Sequence, residues 1–281
     1  MHRIRNIIIS LCLVFLIILM SASCDHNSKS GFSIIFIDVG QGDSALVNCD
    51  GHYMLIDGGP KSAADIVYNV LVDENVTKLD YLIISHMHED HIGGLKKALS
   101  YVSTVEKTLS VESNNDSDDY YDFHSELLID DCKSIDIPNE GQKYSLGSAT
   151  IEIIAVGNPS NNENDSLVVL ITYGSTSFLF TGDMQYRMED KISEKYSDNF
   201  PITLLKVAHH GAENSTEYRF IRTTKPQYAV ISVGSNNRYG HPVEKVLSVL
   251  DQAGVKTYRT DRNGTIKVTS DGKNLTITSE K

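Results

Sequence analysis

The stretch SHMHEDH, residues 85–91, carries three of the chain's ten histidines, interleaved with acids. Imidazole nitrogens and carboxylate oxygens are the ligands of zinc and related divalent ions. In an extended or loop segment, alternate side chains project the same way. His86 and His88 can therefore converge on one ion, while Asp90 and His91 face a second a few ångströms away. A lone HxH is common on polar surfaces. HxHxDH is far more specific, and it stands directly behind the apolar run YLIIS. The IGG that follows lets the chain turn tightly and enter a helix. No GxSxG elbow is present to support a serine hydrolase, and no CxxC pair suggests a thiolate zinc site.

Strands have to present such a loop. FSIIFIDVG is β-branched and apolar and stops at glycine, which reads as a strand. DSALVNC and HYMLIDGG are two more, joined by the turn signal DG, so an antiparallel meander is expected. SAADIVYNVLVDENV has helical spacing, with Ser62 as candidate N-cap. LDYLIISH is a strand leading into the histidines, and HIGGLKKALSYV opens a helix. ESNNDSDDYYD reads as an acidic surface loop. Later come a turn and hairpin in IDIPNEGQKYSLGSATIEIIAVG and two strands in SLVVLITYGSTSFLFTGD. The strand ITLLKVAHHG ends on two histidines, and PQYAVISVG is a further strand. Helices are read in MEDKISEKY and PVEKVLSVLDQAG, and KTYRT and GTIKVTS close with strands. Each half is strand-rich, with helices after strands. The expected class is α/β, a four-layer αββα sandwich of two mixed sheets stacked face to face, helices outside.

The chain has 281 residues, 41% of them hydrophobic, enough for a real core. Its net charge of −12 argues against a generic basic nucleic-acid surface. It leaves a nuclease open, because bound divalent ions bring positive charge of their own. At the N-terminus, MHRIR is a positive segment and NIIISLCLVFLIILM an apolar one, and SASC follows. This pattern is that of an export signal. Residues 1–24 are expected to be a signal peptide of lipoprotein type with Cys24 lipidated, although Ser21 stands where a lipobox has leucine. Cleavage after Ser23 or an uncleaved anchor are the alternatives, and all three place the fold outside the cytoplasmic membrane. Residues 25–31 read as a tether and 32–281 as one domain. Cys49 and Cys132 remain in the folded part, either paired or as two separate buried thiols.

HMHEDH resembles the signature of the metallo-β-lactamase superfamily, and the sandwich is that family's fold. FIDVGQGDSALV, IDGG, SHMHEDHIGGL, NENDSLVVLITYGSTSFLFTGD, LKVAHHG and NRYGHP occur in the order of the metallo-β-lactamase-like domain of ComEC-type competence proteins. The resemblance covers nearly all of the chain from about Phe32. It implies metal ligation by His86, His88, Asp90, His91, Asp183 and His210, with His209 an open alternative to its neighbour. Asp183 of TGD would bridge two divalent ions, both zinc, with manganese the alternative. Asp57 would support the site from behind, and Asp43 and Ser44 of GQGDS would line its rim, with Asp38 structural. Most relatives place another histidine between HxHxDH and TGD. Here only His124 lies in that interval, far upstream and read as a surface residue, and the pocket is expected to be lined by Asn164, Asp165 or Ser166. His241 either precedes a first-turn proline or contacts substrate and gives a proton to the leaving group. Arg238 and Tyr239 either meet an anionic substrate or are plain surface.

The expected catalytic residues are Asp90, Asp183 and His241. The reaction class is hydrolysis by a water whose pKa two metal ions lower. The expected substrate is an anionic phosphoester, small or polymeric, with DNA a candidate partner. The chain is expected to be monomeric and held at the membrane by its N-terminal lipid or anchor. A β-lactam or other ester or amide hydrolase is one alternative, and a non-catalytic surface binding protein on a degenerate fold is another.

Overall fold

Alternation of apolar side chains sets the layers. In β1 (Phe32–Phe36), Phe32, Ile34 and Phe36 face one core and Ile35 faces another, as the pleat requires. The computed structural model describes residues 31–112, 118, 121–122, 125, 135–158 and 166–281. β1 pairs antiparallel with β2 (Ala45–Cys49), which pairs with β3 (His52–Ile56), giving the expected meander. The chain passes through α1 (Ala64–Asp73) and the two-residue β4 (Lys78–Leu79) to β5 (Tyr81–Ile83), parallel to β3. After HMHEDH come the short helices α2 (Glu89–Ile92) and α3 (Leu95–Leu99), then β6 (Thr104–Val105), β7 (Thr108–Leu109) and β8 (Ile135–Asp136).

The second half opens with antiparallel β9 (Lys143–Leu146), β10 (Ala149–Val156), β11 (Leu167–Tyr173) and β12 (Thr176–Phe180). It continues through α4 (Tyr186–Lys195) to β13 (Leu204–Lys206), through α5 (Tyr218–Thr224) to β14 (Tyr228–Ile231), and through α6 (Glu244–Gln252) to β15 (Lys256–Arg259). β12 to β15 run parallel, which their helical crossovers allow. A short α7 (Thr260–Asn263) leads to the hairpin β16 (Ile266–Ser270) and β17 (Leu275–Ser279).

Among the described residues, one large sheet has the order β17-β16-β1-β2-β3-β5-β7-β8 and the second β15-β14-β13-β12-β11-β10-β9, with β4 and β6 forming a separate two-stranded pair. The sheets face each other across a core that includes Ile34, Val47, Met54 and Ile83 on one side and Ile151, Val169, Phe178 and Val230 on the other. Val67, Leu71, Leu95 and Leu99 cover the outer face of the first sheet. Met188, Ile192, Phe220, Val246 and Leu250 cover that of the second. Each such side chain contributes roughly 1.5–3 kcal/mol of transfer free energy. The four-layer sandwich of mixed sheets is therefore the architecture of the chain.

The layers do not divide by halves as the strand order suggests. β16 and β17 return to the first sheet and pair β16 with β1. That contact covers an edge that β1, buried on both faces, would otherwise leave unpaired. β6, β7, β17, α5 and α7 escape notice in the sequence. Ser62 does not cap α1: it lies in a turn of 3-10 helix before the α-helix, and no side chain caps either start. Pro242 is not in the first turn of α6, whose cap is Val243. In the acidic stretch, the described residues Asp118, Tyr121 and Asp122 are helical rather than loop. Cys49 is a buried free thiol beside Asp50 and Ser148. Residues 1–30, with Cys24 and the export signal, lie outside the described residues, as do Cys132, His124, Asn164 and Asp165.

Candidate metal centre

The histidine loop leaves β5 and the chain turns at once into α2. Gly58 N donates to His91 O, and Gly94 N to Gly59 O, so the IDGG and HIGG turns lock together. A Cβ on Gly94 would collide with the Gly58 carbonyl. The GQGDS loop closes from the other side, Asp43 N donating to Asp90 O at 3.1 Å. Gly42, at φ +146°, allows that approach, since a Cβ there would run into the same carbonyl. TGD follows β12, and the two histidines follow β13, both in left-handed backbone. Five chain segments thus deliver their side chains to one end of the sandwich.

Two groups of ligand atoms result, each within 4.8 Å. One is His86, His88 and Asp183; the other is Asp90, His91, Asp183 and His210. Asp183 belongs to both. Its Oδ1 lies 3.4 Å from His91 Nε2 and 3.7 Å from His210 Nε2, and its Oδ2 lies 3.8 Å from His86 Nε2. His210 Nε2 is 3.1 Å from Asp90 Oδ2. His209 stands at the edge, its Nε2 3.6 Å from Asp183 and its Nδ1 against Asn214. The pair of histidines is thus sorted by geometry, with His210 inside the group.

The imidazoles are oriented from behind. His91 Nδ1 meets Asp57 Oδ2 at 2.9 Å, and His210 Nδ1 meets the Ser232 carbonyl at 2.9 Å. Both acceptors require N–H at Nδ1, which leaves Nε2 of His91 facing Asp183 and Nε2 of His210 facing Asp90 and Asp183. Ser85, which in the sequence merely ends a strand, donates its hydroxyl to Asp57 Oδ2 at 2.7 Å and touches Nδ1 of both His86 and His91. Ser166 accepts a hydrogen bond from Asp183 N at 2.9 Å. Asp43 and Ser44 are not on the rim: both are buried beneath the site, with Ser44 donating to the Asp57 carbonyl. Asp38 accepts from Gly40 N within its own loop. His241 meets the His209 ring edge-on at 5.7 Å and stacks at 5.6 Å on the exposed Tyr239, over which Arg238 lies.

Charge and burial are strongly coupled here. Burial lowers the pKa of His91, but the carboxylates of Asp183, Asp57 and Asp90 outweigh it and hold the net value well above the ordinary one. Burial also opposes the proton on His210, yet Asp183 and then Asp43 push it up to about 10. For His86, burial and then the neighbouring His91 win, and its pKa falls well below the usual value. Burial raises Asp90 and Asp183, but the surrounding imidazoles hold both below the carboxylate range. Asp57 goes up, because burial exceeds the pull of His91. Burial lowers His241, with His209 and His210 adding to it.

This donor set fits divalent cations. His91 Nε2 and Asp183 Oδ1 are buried and face each other, and neither has a hydrogen-bond partner. Buried polar atoms are otherwise almost always satisfied, and a lone pair beside a carboxylate oxygen is satisfied by a cation. The third acidic group, Asp43, Asp57 and His91, is different. Lys206 Nζ lies 2.6 Å from Asp43, and Asp57 already accepts from Ser85 and meets His91 Nδ1. Lys206 and Ser85 were the residues missed from sequence. A lysine inside the apolar run ITLLKVA was the available signal, since lysine is almost never buried unpaired. His210→Ala is expected to lose one bound ion and at least ~100-fold in metal affinity, with His209→Ala retaining both ions. Metal content by mass spectrometry checks this, and ion loss confined to His209→Ala would reverse the choice.

The family comparison agrees with this geometry. A model described as "Metallo-beta-lactamase superfamily" matches residues 37–235. ComE operon protein 3 of Bacillus subtilis is 29% identical over 251 residues, 82% of this chain and 32% of that protein. Competence protein ComA of Neisseria gonorrhoeae is 28% identical over 233 residues, 82% of this chain and 31% of that one. The chain thus spans about a third of the length of these relatives. Among solved structures, the metallo-beta-lactamase fold protein YhfI of Bacillus subtilis superposes with TM-score 0.54 at 16% identity, covering 82% of this chain and 96% of that one. The diiron beta-hydroxylase CmlA of Streptomyces venezuelae gives 0.55 at 15% identity, covering 82% and 53%. These two likenesses concern the fold alone. On the match of the family model, the chain belongs to the metallo-beta-lactamase superfamily, a family of dinuclear metal-binding fold, and its competence-protein relatives are of the ComEC type.

Proposed function

We propose that the chain is an exported metal-dependent hydrolase of phosphoesters, with phosphodiesters and nucleic acid as the substrate class. The observation that carries hydrolysis is the sharing of Asp183 between two groups of His and Asp ligand atoms. His86, His88 and Asp183 would hold one divalent ion, and Asp90, His91, Asp183 and His210 a second, zinc or manganese. Bound there, such ions supply a water acidified towards neutrality and an electrophilic clamp on the substrate oxygen.

The protein's own groups do the rest. Asp57 and Ser232 hold the His91 and His210 rings with Nε2 facing inward. Ser85 ties Asp57 to both loop histidines. His241, with its lowered pKa, is a neutral imidazole at pH 7. It acts as a hydrogen-bond donor to a phosphoryl or leaving oxygen rather than as an imidazolium acid. Arg238 and Tyr239 offer a cation and a flat ring at the edge of the same site, suited to an anionic substrate carrying a base.

Two further points support the phosphoester reading. Buried Ser166 accepts a hydrogen bond from the Asp183 backbone in the region where many superfamily members carry another histidine. One relative is named a competence protein and another, from Haemophilus influenzae, "Recombination protein 2", which is consistent with DNA as a partner. Export rests on the basic and apolar character of the first 24 residues. The test is turnover of bis(p-nitrophenyl) phosphate, single-stranded DNA, RNA and nitrocefin by the zinc- or manganese-loaded protein, with chelator controls. Chelator-sensitive phosphodiester cleavage without nitrocefin turnover is expected. Nitrocefin turnover alone would make it a β-lactam hydrolase. Stoichiometric metal with no turnover of any substrate would make it a binding protein.

A further inference from the structure

Lys206 ends β13, and its side chain is only 3% exposed. Its Nζ lies 2.6 Å from Asp43 Oδ2 and donates to the Val207 carbonyl at 2.9 Å. Asp43 is itself 5% exposed and comes from the opposite sheet, in the glycine loop between β1 and β2. Its second oxygen lies 3.3 Å from His210 Nδ1. That nitrogen also meets the Ser232 carbonyl, while the far side of the ring faces Asp90 and Asp183. A continuous polar chain therefore runs from Lys206 through Asp43 to His210 and into one group of ligand atoms. The other group is backed differently: His86 Nδ1 meets the Ser85 hydroxyl, which donates to Asp57, and His88 is exposed, so among the described residues no lysine–aspartate pair stands behind it.

A buried lysine–aspartate pair is a poor device for stability, because desolvation cancels most of the attraction and apolar replacements are often neutral. The pair does, however, bind the two sheets at the point where His210 enters. With its Oδ2 held by the ammonium, Asp43 presents Oδ1 beside the Ser232 carbonyl. The Ser232 carbonyl accepts from that ring nitrogen, and the Asp43 carboxylate oxygen, which has no hydrogen-bond partner of its own, lies 3.3 Å from it as an electrostatic contact. This fixes both the tautomer and the tilt of His210.

We propose that Lys206 and Asp43 form a positioning pair that sets the His210 ring and so tunes the Asp90–His91–Asp183–His210 group for its ion, leaving the His86–His88–Asp183 group untouched. The proposal rests on the reading of these groups as metal sites. The probe is cobalt(II), titrated into the metal-free full chain and followed by visible absorption, with bound metal counted by mass spectrometry. Two binding steps are expected for the native chain. Lys206→Met should weaken one step by about 10–100-fold and alter its ligand-field band, the other step keeping its affinity and spectrum. Lys206→Arg, which keeps the cation, should restore the weakened step. Asp43→Asn/Lys206→Met, which keeps an acceptor for His210 without an unpaired charge, should recover most of it, and serves as the test should Lys206→Met alone fail to fold. Equal loss at both steps, no change at either, or no recovery in the arginine and double variants would overturn the proposal. If the native chain bound no cobalt at all, the metal reading itself would fall, an outcome separate from any of these.

Discussion

Asp183→Asn is expected to reduce hydrolysis by about 10³-fold, ~4 kcal/mol of lost transition-state stabilisation, while leaving the fold in place. The carboxylate is the one side chain common to both ligand groups, and its two oxygens face different histidines. Asparagine keeps the volume but offers one oxygen and no charge. The backbone anchor from Asp183 N to Ser166 does not depend on the side chain. The loss should also appear without any substrate. A ligand at 100 times its Kd stabilises the state that binds it by about 2.7 kcal/mol, so the native protein should melt at a higher temperature with zinc than with chelator. Asp183→Asn should lose most of that increment and hold fewer ions per chain. Retention of two ions with native turnover would remove Asp183 from the site.

Glu189→Gln is expected to change how stability depends on pH. Glu189 lies on α4, is 1% exposed, and accepts hydrogen bonds from the backbone N–H groups of Thr216 and Glu217. Burial pushes its pKa up to about 8 from 4.5, with the two N–H donors offsetting only part of it. The sign follows from proton counting. Below about pH 4.5 the group is protonated in the folded and the unfolded chain and contributes nothing. Between that value and about 8 the folded state holds a proton that the unfolded state has lost, so stability falls by about 1.4 kcal/mol per pH unit, at most about 5 kcal/mol in all. Above it the full penalty remains. Glutamine removes that slope but supplies one acceptor where there were two, a cost of about 1 kcal/mol at every pH. The two proteins should therefore exchange order: the variant slightly less stable at pH 5, and more stable at pH 9 by about 10 °C in Tm. The metal-site groups titrate alike in both proteins and cancel from the difference. Parallel melting curves from pH 5 to 9 would show that Glu189 ionises without penalty.

The parts of the centre that could be read in advance are those in which one short segment supplies several ligands. HMHEDH places four donors in six residues behind a strand, and the resemblance at TGD and HHG supplied the other two. Asp57 was legible because it ends an apolar strand at IDGG. His210 could not be separated from His209 by spacing, since adjacent residues leave a strand with equal claim. The left-handed turn after β13 decided it, by sending His210 into the cluster and His209 towards Asn214. Ser85 and Lys206 were read past because their partners lie elsewhere in the chain. Ser85 meets Asp57 from 28 residues away. Lys206 is bound by an aspartate on the other sheet. The strand order misled at the C-terminus, where β16 crosses back to β1 because an apolar edge has to be covered.

What the sequence determined by itself is therefore local and periodic: the alternation that builds two sheets buried on both faces, the glycines that let loops approach, and a histidine loop rich enough in ligands to identify its chemistry. These depend on neighbours two to six residues apart, and the backbone repeats of strand and turn translate such spacing directly into direction. Only the tertiary structure decided which histidine faces inward and which buried charges lean on the two groups. Asp90 and His210 meet at 3.1 Å across 120 residues. Long-range contacts of this kind arise from packing one sheet on the other, and no interval along the chain encodes them.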